Sequence, residues 1–378
     1  MYNDSLCGDQ MITVTKTYLP VIDEYVSYLE KIWQTGQITN NGQLSRQLID
    51  DLKNYLGVSN LMLVANGTLA LQLAIKALGL RGEIITTPYS YVATTNSILW
   101  EDCDPVFVDI EDQTFCINPD LIEASITEKT SAILATHIYG YPCDVVKIQQ
   151  IADKHKLKVI YDAAHAFGVK LYGKSILQHG DCSALSFHAT KLFHTAEGGA
   201  VVCKDAEIAK RVSLMKKFGH VGEEYYLSIG INAKMSELHA AMGLCLLPKV
   251  NDIIALRKEC SVWYDEQLKG CLLQRPVPPV GLEYNYAYYP VIFPTQEVMM
   301  RVRQKLLDNG IWPRRYFYPS LNTLPFLSPE LKRICPVSEN ISGRGLCLPL
   351  YAGLQRLEVA HICNLVLQAI QASSSLHC

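Results

Sequence analysis

The run Ser183-Ala184-Leu185-Ser186-Phe187-His188-Ala189-Thr190-Lys191-Leu192-Phe193-His194-Thr195-Ala196-Glu197-Gly198-Gly199-Ala200-Val201-Val202 sets one lysine between two apolar, strand-like stretches. Lys191 stands among Ser, Thr, two His and a Gly-Gly pair, which does not match a solvated helix face repeating its charges at helical spacing. An amine held in such surroundings gives up protons more readily, attacks carbonyls and forms Schiff bases. A surface lysine in a loop before a hairpin is the competing reading.

Three further stretches carry residues of chemical interest. Asn66-Gly67-Thr68 precedes the apolar run Leu69 to Leu78. A glycine at a helix start, followed by a hydroxyl, offers free N–H groups and a dipole suited to phosphate, while an ordinary N-cap explains the same residues. Pro88-Tyr89-Ser90-Tyr91 follows Ile84 to Thr87 and puts aromatic rings at a strand mouth, where one could stack on a flat ring or simply pack. Asp162-Ala163-Ala164-His165 follows Val159-Ile160-Tyr161. A carboxylate at the end of a buried strand needs a partner, which a pyridinium N–H or a capped turn would supply. His165 reads either as a satisfied core histidine or, with two small alanines beside it, as a group next to something flat.

These residues need a scaffold, and the hydrophobic pattern describes one. A helical stripe runs through Val21, Ile22, Tyr25, Tyr28, Leu29 and Ile32, and a second through Leu44, Leu48, Leu52 and Leu56 to a C-cap at Gly57. The polar segment Thr35 to Gly42 between them reads as a loop able to reach another subunit. From Leu61 the pattern is strand, turn, helix: strands at 61–64, 83–87, 105–108, 132–136 and 158–161, with helices ending near Leu78, Trp100 and His155. Such alternation predicts an α/β domain on a mostly parallel sheet, with ligands at the carboxyl ends of its strands. A strand over Ala200–Cys203 and a helix over Asp205–Phe218 close it. Residues 219–233 read as a Gly-rich polar loop, followed by a helix from Met235 to Leu247 and a long amphipathic one from Val250 to about Leu268. The remainder alternates a strand at Ala287–Phe293 with helices at Gln296–Asp308 and Gln355–Ala372, a smaller α+β unit. We therefore expect a large domain over 1–250, including the N-terminal helices, and a small one over 251–378. Trp312-Pro313-Arg314-Arg315-Tyr316-Phe317-Tyr318-Pro319 mixes cations with aromatics as an anionic sugar or nucleotide site would, or forms a basic surface turn.

Composition narrows the class. The 378 residues are 49% hydrophobic and 19% charged with a formal net charge of −3, an enzyme-like balance without a general basic field for nucleic acid. The 13 cysteines form no C-x-x-C pair and read as reduced thiols packed as small apolar groups, with no metal site. Met1 to Leu6 has an acid where a signal peptide needs positive charge. The apolar window Leu61–Leu80 contains Asn66, Gln72 and Lys76, a poor membrane span. The expectation is a cytoplasmic protein with no membrane partner and a frayed tail at Ser373–Ser375.

Taken in order, Gly67-Thr68, Tyr91, Asp162 with His165, then Ser186 and Lys191 resemble the nucleotide-sugar aminotransferases, fold-type I enzymes dependent on pyridoxal 5′-phosphate. The resemblance runs from Thr35-Gly36 through Tyr318-Pro319. It implies that Lys191 carries the cofactor as a Schiff base and moves the proton, and that Asp162 pairs with the pyridine nitrogen. It implies further that Gly67, Thr68 and Ser186 hold the phosphate and that Tyr91 stacks on the ring. Asn232, within Gly230-Ile231-Asn232-Ala233-Lys234-Met235-Ser236-Glu237-Leu238, corresponds to the family residue that reaches the phosphate of a neighbouring subunit, so a homodimer is implied. His188, Glu197, Arg314, Tyr316 and Tyr318 are the expected substrate contacts. Many relatives have Gln where His165 stands, so its role is either bonding the phenolic oxygen or lying against the ring.

Lys191 separates the chain from family dehydratases that carry histidine there. His188-Ala189-Thr190-Lys191 with Glu197-Gly198-Gly199 is similar to members acting on 4-keto sugars, and Asp162 to Gly168 to those forming dTDP-4-amino-4,6-dideoxyglucose. The implied reaction transfers an amino group from glutamate to C-4 of dTDP-4-keto-6-deoxyglucose through pyridoxamine 5′-phosphate. Alternatives are a UDP- or GDP-linked sugar or the galacto product, an enzyme acting on amino acids only, and a regulator that binds the cofactor without catalysis.

Overall fold

The structure, a computed structural model, describes residues 11–371. The N-terminal reading of Met1–Leu6 and the tail at Ser373–Ser375 lie outside the described residues. Helices α1 (Ile22–Thr35) and α2 (Gln43–Leu56) each end on a glycine with positive φ, Gly36 and Gly57, because only a residue without Cβ takes that turn freely. In α2 the leucine stripe Leu44, Leu48, Leu52 and Leu56 is buried as its spacing predicts. In α1 only Ile32 is fully buried, and Ile22, Val26 and Trp33 face outward.

The α/β alternation folds as expected. Seven strands, β1 (Asn60–Val64), β2 (Gly82–Thr86), β3 (Cys103–Phe107), β4 (Thr130–Thr136), β5 (Lys158–Asp162), β6 (Cys182–Ser186) and β7 (Gly199–Cys203), form one sheet in the order β1-β7-β6-β5-β4-β2-β3. Strand β7 is antiparallel to both neighbours, and the other pairs are parallel. The strands are nearly all apolar because both faces are covered. Leu61 and Leu63 of β1 enter the core shared with α2, α5 (Val145–His155) and α7 (Glu237–Leu246). Met62 and Val64 enter the opposite core with α3 (Gly67–Ala77) and α6 (Ala206–Met215).

The C-terminal part has its own core around Tyr264, Tyr289, Met299, Leu346 and Val366. Strand β8 (Tyr289–Ile292) pairs antiparallel with β9 (Gly345–Leu348), and α9 (Gln296–Leu307) and α11 (Arg356–Gln371) pack on it. Helix α8 (Val250–Gln267) belongs to both halves, with Val250 and Ile253 in the first core and Cys260 and Tyr264 in the last. At the other end of the chain, Ile12–Thr13 pairs with Ile311–Trp312. Helix α10 (Pro336–Arg344) escaped the periodicity because it is short and Ser-rich, with Pro336 as its first residue.

One expectation fails. Residues 219–233 are not a polar loop: His220–Val221 pairs with Tyr225–Tyr226, and Val221, Tyr225, Tyr226, Leu227 and Ile229 are exposed. Glycines at 219, 222 and 230 gave the segment its loop character, while Val221, Tyr225, Tyr226, Leu227 and Ile229 stand between them beside Glu223 and Glu224. The helical run Glu237–Gln267 is long and apolar enough by length and composition to cross a membrane, but half of its apolar window is buried within the fold. The described cysteines are all free thiols.

Candidate active site

The carboxyl ends of β1, β2, β5 and β6 meet the C-terminal part around a cavity of about 410 Å³. Lys191 enters it from a loop that the core holds shut. Phe187 N–H donates to the Gly198 carbonyl (2.8 Å) and Thr195 N–H to the Phe187 carbonyl (2.9 Å). Phe193 stacks on Phe167 at 4.5 Å between centroids. Apolar neighbours at Phe187, Leu192 and Phe193 thus anchor a loop whose His188, Thr190, Lys191 and Glu197 line the cavity.

The Lys191 amine donates to the phenolic oxygen of Tyr288 at 3.2 Å. Burial lowers its affinity for a proton below that of an ordinary lysine, and Asp162 with Tyr316 and Tyr91 oppose the shift. Asp162, the last residue of β5, is 6% exposed and accepts from Thr94 Oγ1 (2.7 Å) and Ala164 N–H (3.1 Å). Burial raises its pKa, while these bonds and the Lys191 charge pull it back. His165 is buried and held well below the usual histidine range, first by desolvation and then by Lys191. Its Nδ1 accepts the Tyr139 N–H (3.3 Å), so in the neutral ring Nε2 carries the hydrogen. The ring stacks on Phe317 at 5.5 Å.

Helix α3 begins at the rim with Asn66 as its cap, the side chain accepting from Leu69 N–H at 2.9 Å. The N–H groups of Gly67 and Thr68 in the first turn have no intrahelical acceptor. A Cβ on Gly67 would stand 2.9 Å from Cβ of Ser186, so only glycine lets the helix start approach that serine. Tyr91, before α4 (Val92–Trp100), is exposed at the mouth.

The fold therefore brings together Gly67, Thr68, Tyr91, Asp162, His165, Ser186, Lys191, His188, Glu197, Arg314 and Tyr316. It leaves out two. Asn232 lies on the exposed hairpin segment, its side chain accepting from Lys234 Nζ (2.7 Å), away from its own chain's cavity. Tyr318 points aside because its ring is covered by the Arg315 guanidinium at 3.4 Å, so it is not among the cavity residues. Sequence reasoning missed Tyr288 and Thr94, and marked Phe317 only as part of the cationic and aromatic run 312–319. Tyr288 arrives from the C-terminal part and Thr94 sits inside a helix, so no local spacing marks them. A larger hollow of about 940 Å³ between α2, β1 and α6 is lined by Arg46, Lys53, Lys216 and Lys217 but holds none of these groups.

The residues fit pyridoxal phosphate. A buried carboxylate with donors to each oxygen faces a cavity with space for a ring N–H, a desolvated amine stands opposite, and open N–H groups beside Ser186 suit a phosphate.

The chain is similar to known proteins over nearly its whole length. The sequence model described as the DegT/DnrJ/EryC1/StrS aminotransferase family matches residues 21–367. The dTDP-4-amino-4,6-dideoxy-D-glucose transaminase of Shigella dysenteriae is 43% identical over 353 residues, 92% of this chain and 95% of that protein. The GDP-perosamine synthase of Escherichia coli O157:H7 is 32% identical over 356 residues, 92% and 97% of the two chains. Among solved structures, DesI in the presence of its TDP-sugar product superposes with a TM-score of 0.92 at 29% identity, covering 98% of this chain and 95% of that one.

Proposed function

The chain belongs to the DegT/DnrJ/EryC1/StrS aminotransferase family and is a pyridoxal-phosphate-dependent aminotransferase, and we propose that it transfers the amino group of L-glutamate to C-4 of dTDP-4-keto-6-deoxy-D-glucose. The product is dTDP-4-amino-4,6-dideoxy-D-glucose. The observation that carries the chemistry is the desolvated Lys191 amine facing the buried Asp162 carboxylate across one cavity. The choice of sugar rests on the relative of that name at 43% identity.

When bound, pyridoxal phosphate supplies an electron sink for charge developing at the amino-bearing carbon. Lys191 anchors it and moves a proton on and off that carbon through Nζ, as general base and then acid. Asp162 would hold the proton on the ring nitrogen. Gly67, Thr68 and Ser186 would hold the phosphate, Tyr91 would lie against the ring, and His165 would offer its Nε2–H to the phenolic oxygen. Arg314, with no ion pair among the described residues, takes an anionic part of the substrate, and Tyr316, His188 and Glu197 contact the rest. We further propose a cytoplasmic homodimer in which Asn232 of one chain reaches the phosphate of the other.

The purified enzyme, given glutamate and dTDP-, UDP- or GDP-linked 4-keto-6-deoxysugars, should turn over the dTDP sugar fastest, with the amino sugar and 2-oxoglutarate identified by mass spectrometry. Lys191→Ala should lower turnover by at least about 10³-fold. Wild-type rates in that variant would end the proposal. Preference for the GDP sugar would favour the second reading, which the 32% identical GDP-perosamine synthase supports.

A further inference from the structure

A carboxylate buried as deeply as Asp162 takes up a proton unless its surroundings hold the charge. Behind it stands a file of hydroxyls. Thr94 Oγ1 donates to Asp162 Oδ2 at 2.7 Å, Ser90 Oγ lies 2.7 Å from Thr94 Oγ1, and Thr136 Oγ1 lies 3.1 Å from Ser90 Oγ. All three are at most 2% exposed. Ser90 and Thr94 flank the start of α4, and Thr136 ends β4 directly beside Asp162 in the sheet register.

The direction of the file follows from counting hydrogens, since each hydroxyl has one. An ionised Asp162 only accepts, so Thr94 spends its hydrogen there. Ser90 must then donate to Thr94, and Thr136 to Ser90. Every hydrogen points toward the carboxylate, and each bond polarises the next. Were Asp162 protonated and donating, the file would reverse and end on a Thr136 hydrogen that has no acceptor among the described residues. Protonation at Oδ2 thus costs the file a bond, and the Ala164 N–H already occupies Oδ1.

We infer that Thr136, Ser90 and Thr94 form a hydroxyl relay that keeps Asp162 ionised, making them positioning residues for the group that holds the cofactor's ring nitrogen. This rests on the proposed function. The titratable and charged groups that share the cavity with Asp162 are Lys191, whose charge favours ionisation, neutral His165, the phenols Tyr91, Tyr288 and Tyr316, and His188, Glu197 and Arg314. None of them replaces a donor on Oδ2.

The test is calorimetric titration of apo-enzyme with pyridoxamine 5′-phosphate, which binds without a covalent bond to Lys191, across pH 5 to 9. Thr94→Val should weaken binding by about 10-fold or more, and the acid-side loss of affinity should move to higher pH as Asp162 protonates more easily. Thr94→Ser should restore both. Thr136→Val should move both in the same direction by less. Circular dichroism of each apo variant checks that it is folded. Wild-type affinity and pH profile in folded Thr94→Val would overturn the relay, as would weaker binding with an unmoved profile. Failure of the wild-type protein to bind pyridoxamine 5′-phosphate would instead remove the cofactor reading beneath it.

Discussion

Lys191 and Asp162 face one another in surroundings that disfavour charge on either, and their mutual field offsets part of that penalty. For Lys191 the balance has a measurable sign. The unfolded chain holds this proton with an ordinary affinity near 10.5 and the folded chain with less, so between the two values stability rises with pH. Lys191→Met should therefore stabilise the apo protein at pH 7, and the advantage should shrink as pH rises toward 10. Urea unfolding at several pH values measures the gap, and a constant gap would contradict the assignment. The residues with special chemistry were legible here because each follows an apolar strand. Tyr288, which alone bonds the Lys191 amine among the described residues, lies 97 positions away, and only folding reveals it.

Among the elements, α2 and α7 are joined through a buried carboxylate. Glu237, the first residue of α7, is 1% exposed and accepts from Leu44 N–H at 2.8 Å, from Ser45 N–H and from the Ser45 hydroxyl. It caps α2 from a distance of nearly two hundred residues, and a side chain at Gly42 would strike it. Glu237→Ala leaves those buried donors unmet and should cost about 2–4 kcal/mol of stability, read from urea unfolding of the full chain. A loss below 0.5 kcal/mol would mean that water reaches the α2 terminus.

At the scale of the whole molecule, the single chain leaves two apolar surfaces open, one on α1 at Ile22, Val26 and Trp33 and one on the 219–233 hairpin. The proposed homodimer would bury both and carry Asn232 toward the other cavity. Sedimentation should find a dimer. Replacing Tyr226, Leu227 and Ile229 together by Asp should yield folded monomers with turnover reduced at least about 10-fold. A triple variant that stayed dimeric would refute the interface. Helix α8 ties the two cores together, since Val250 and Ile253 pack with the large sheet and Cys260 and Tyr264 with the small one.

The α/β order, the leucine stripe of α2, and the lysine, aspartate and glycine at strand ends follow from periodicity and local chemistry, because strands, caps and turns depend on residues close in sequence. Local pattern does not contain which strand ends are neighbours, because the order β1-β7-β6-β5-β4-β2-β3 is a matter of long-range pairing. The tertiary structure therefore decided that Thr136 stands beside Asp162, that Tyr288 closes on Lys191, and that Tyr318 turns away. It also decided that a glycine-rich segment read as a polar loop is a hairpin with exposed Val221, Tyr225, Tyr226, Leu227 and Ile229, since exposure depends on what the rest of the chain covers.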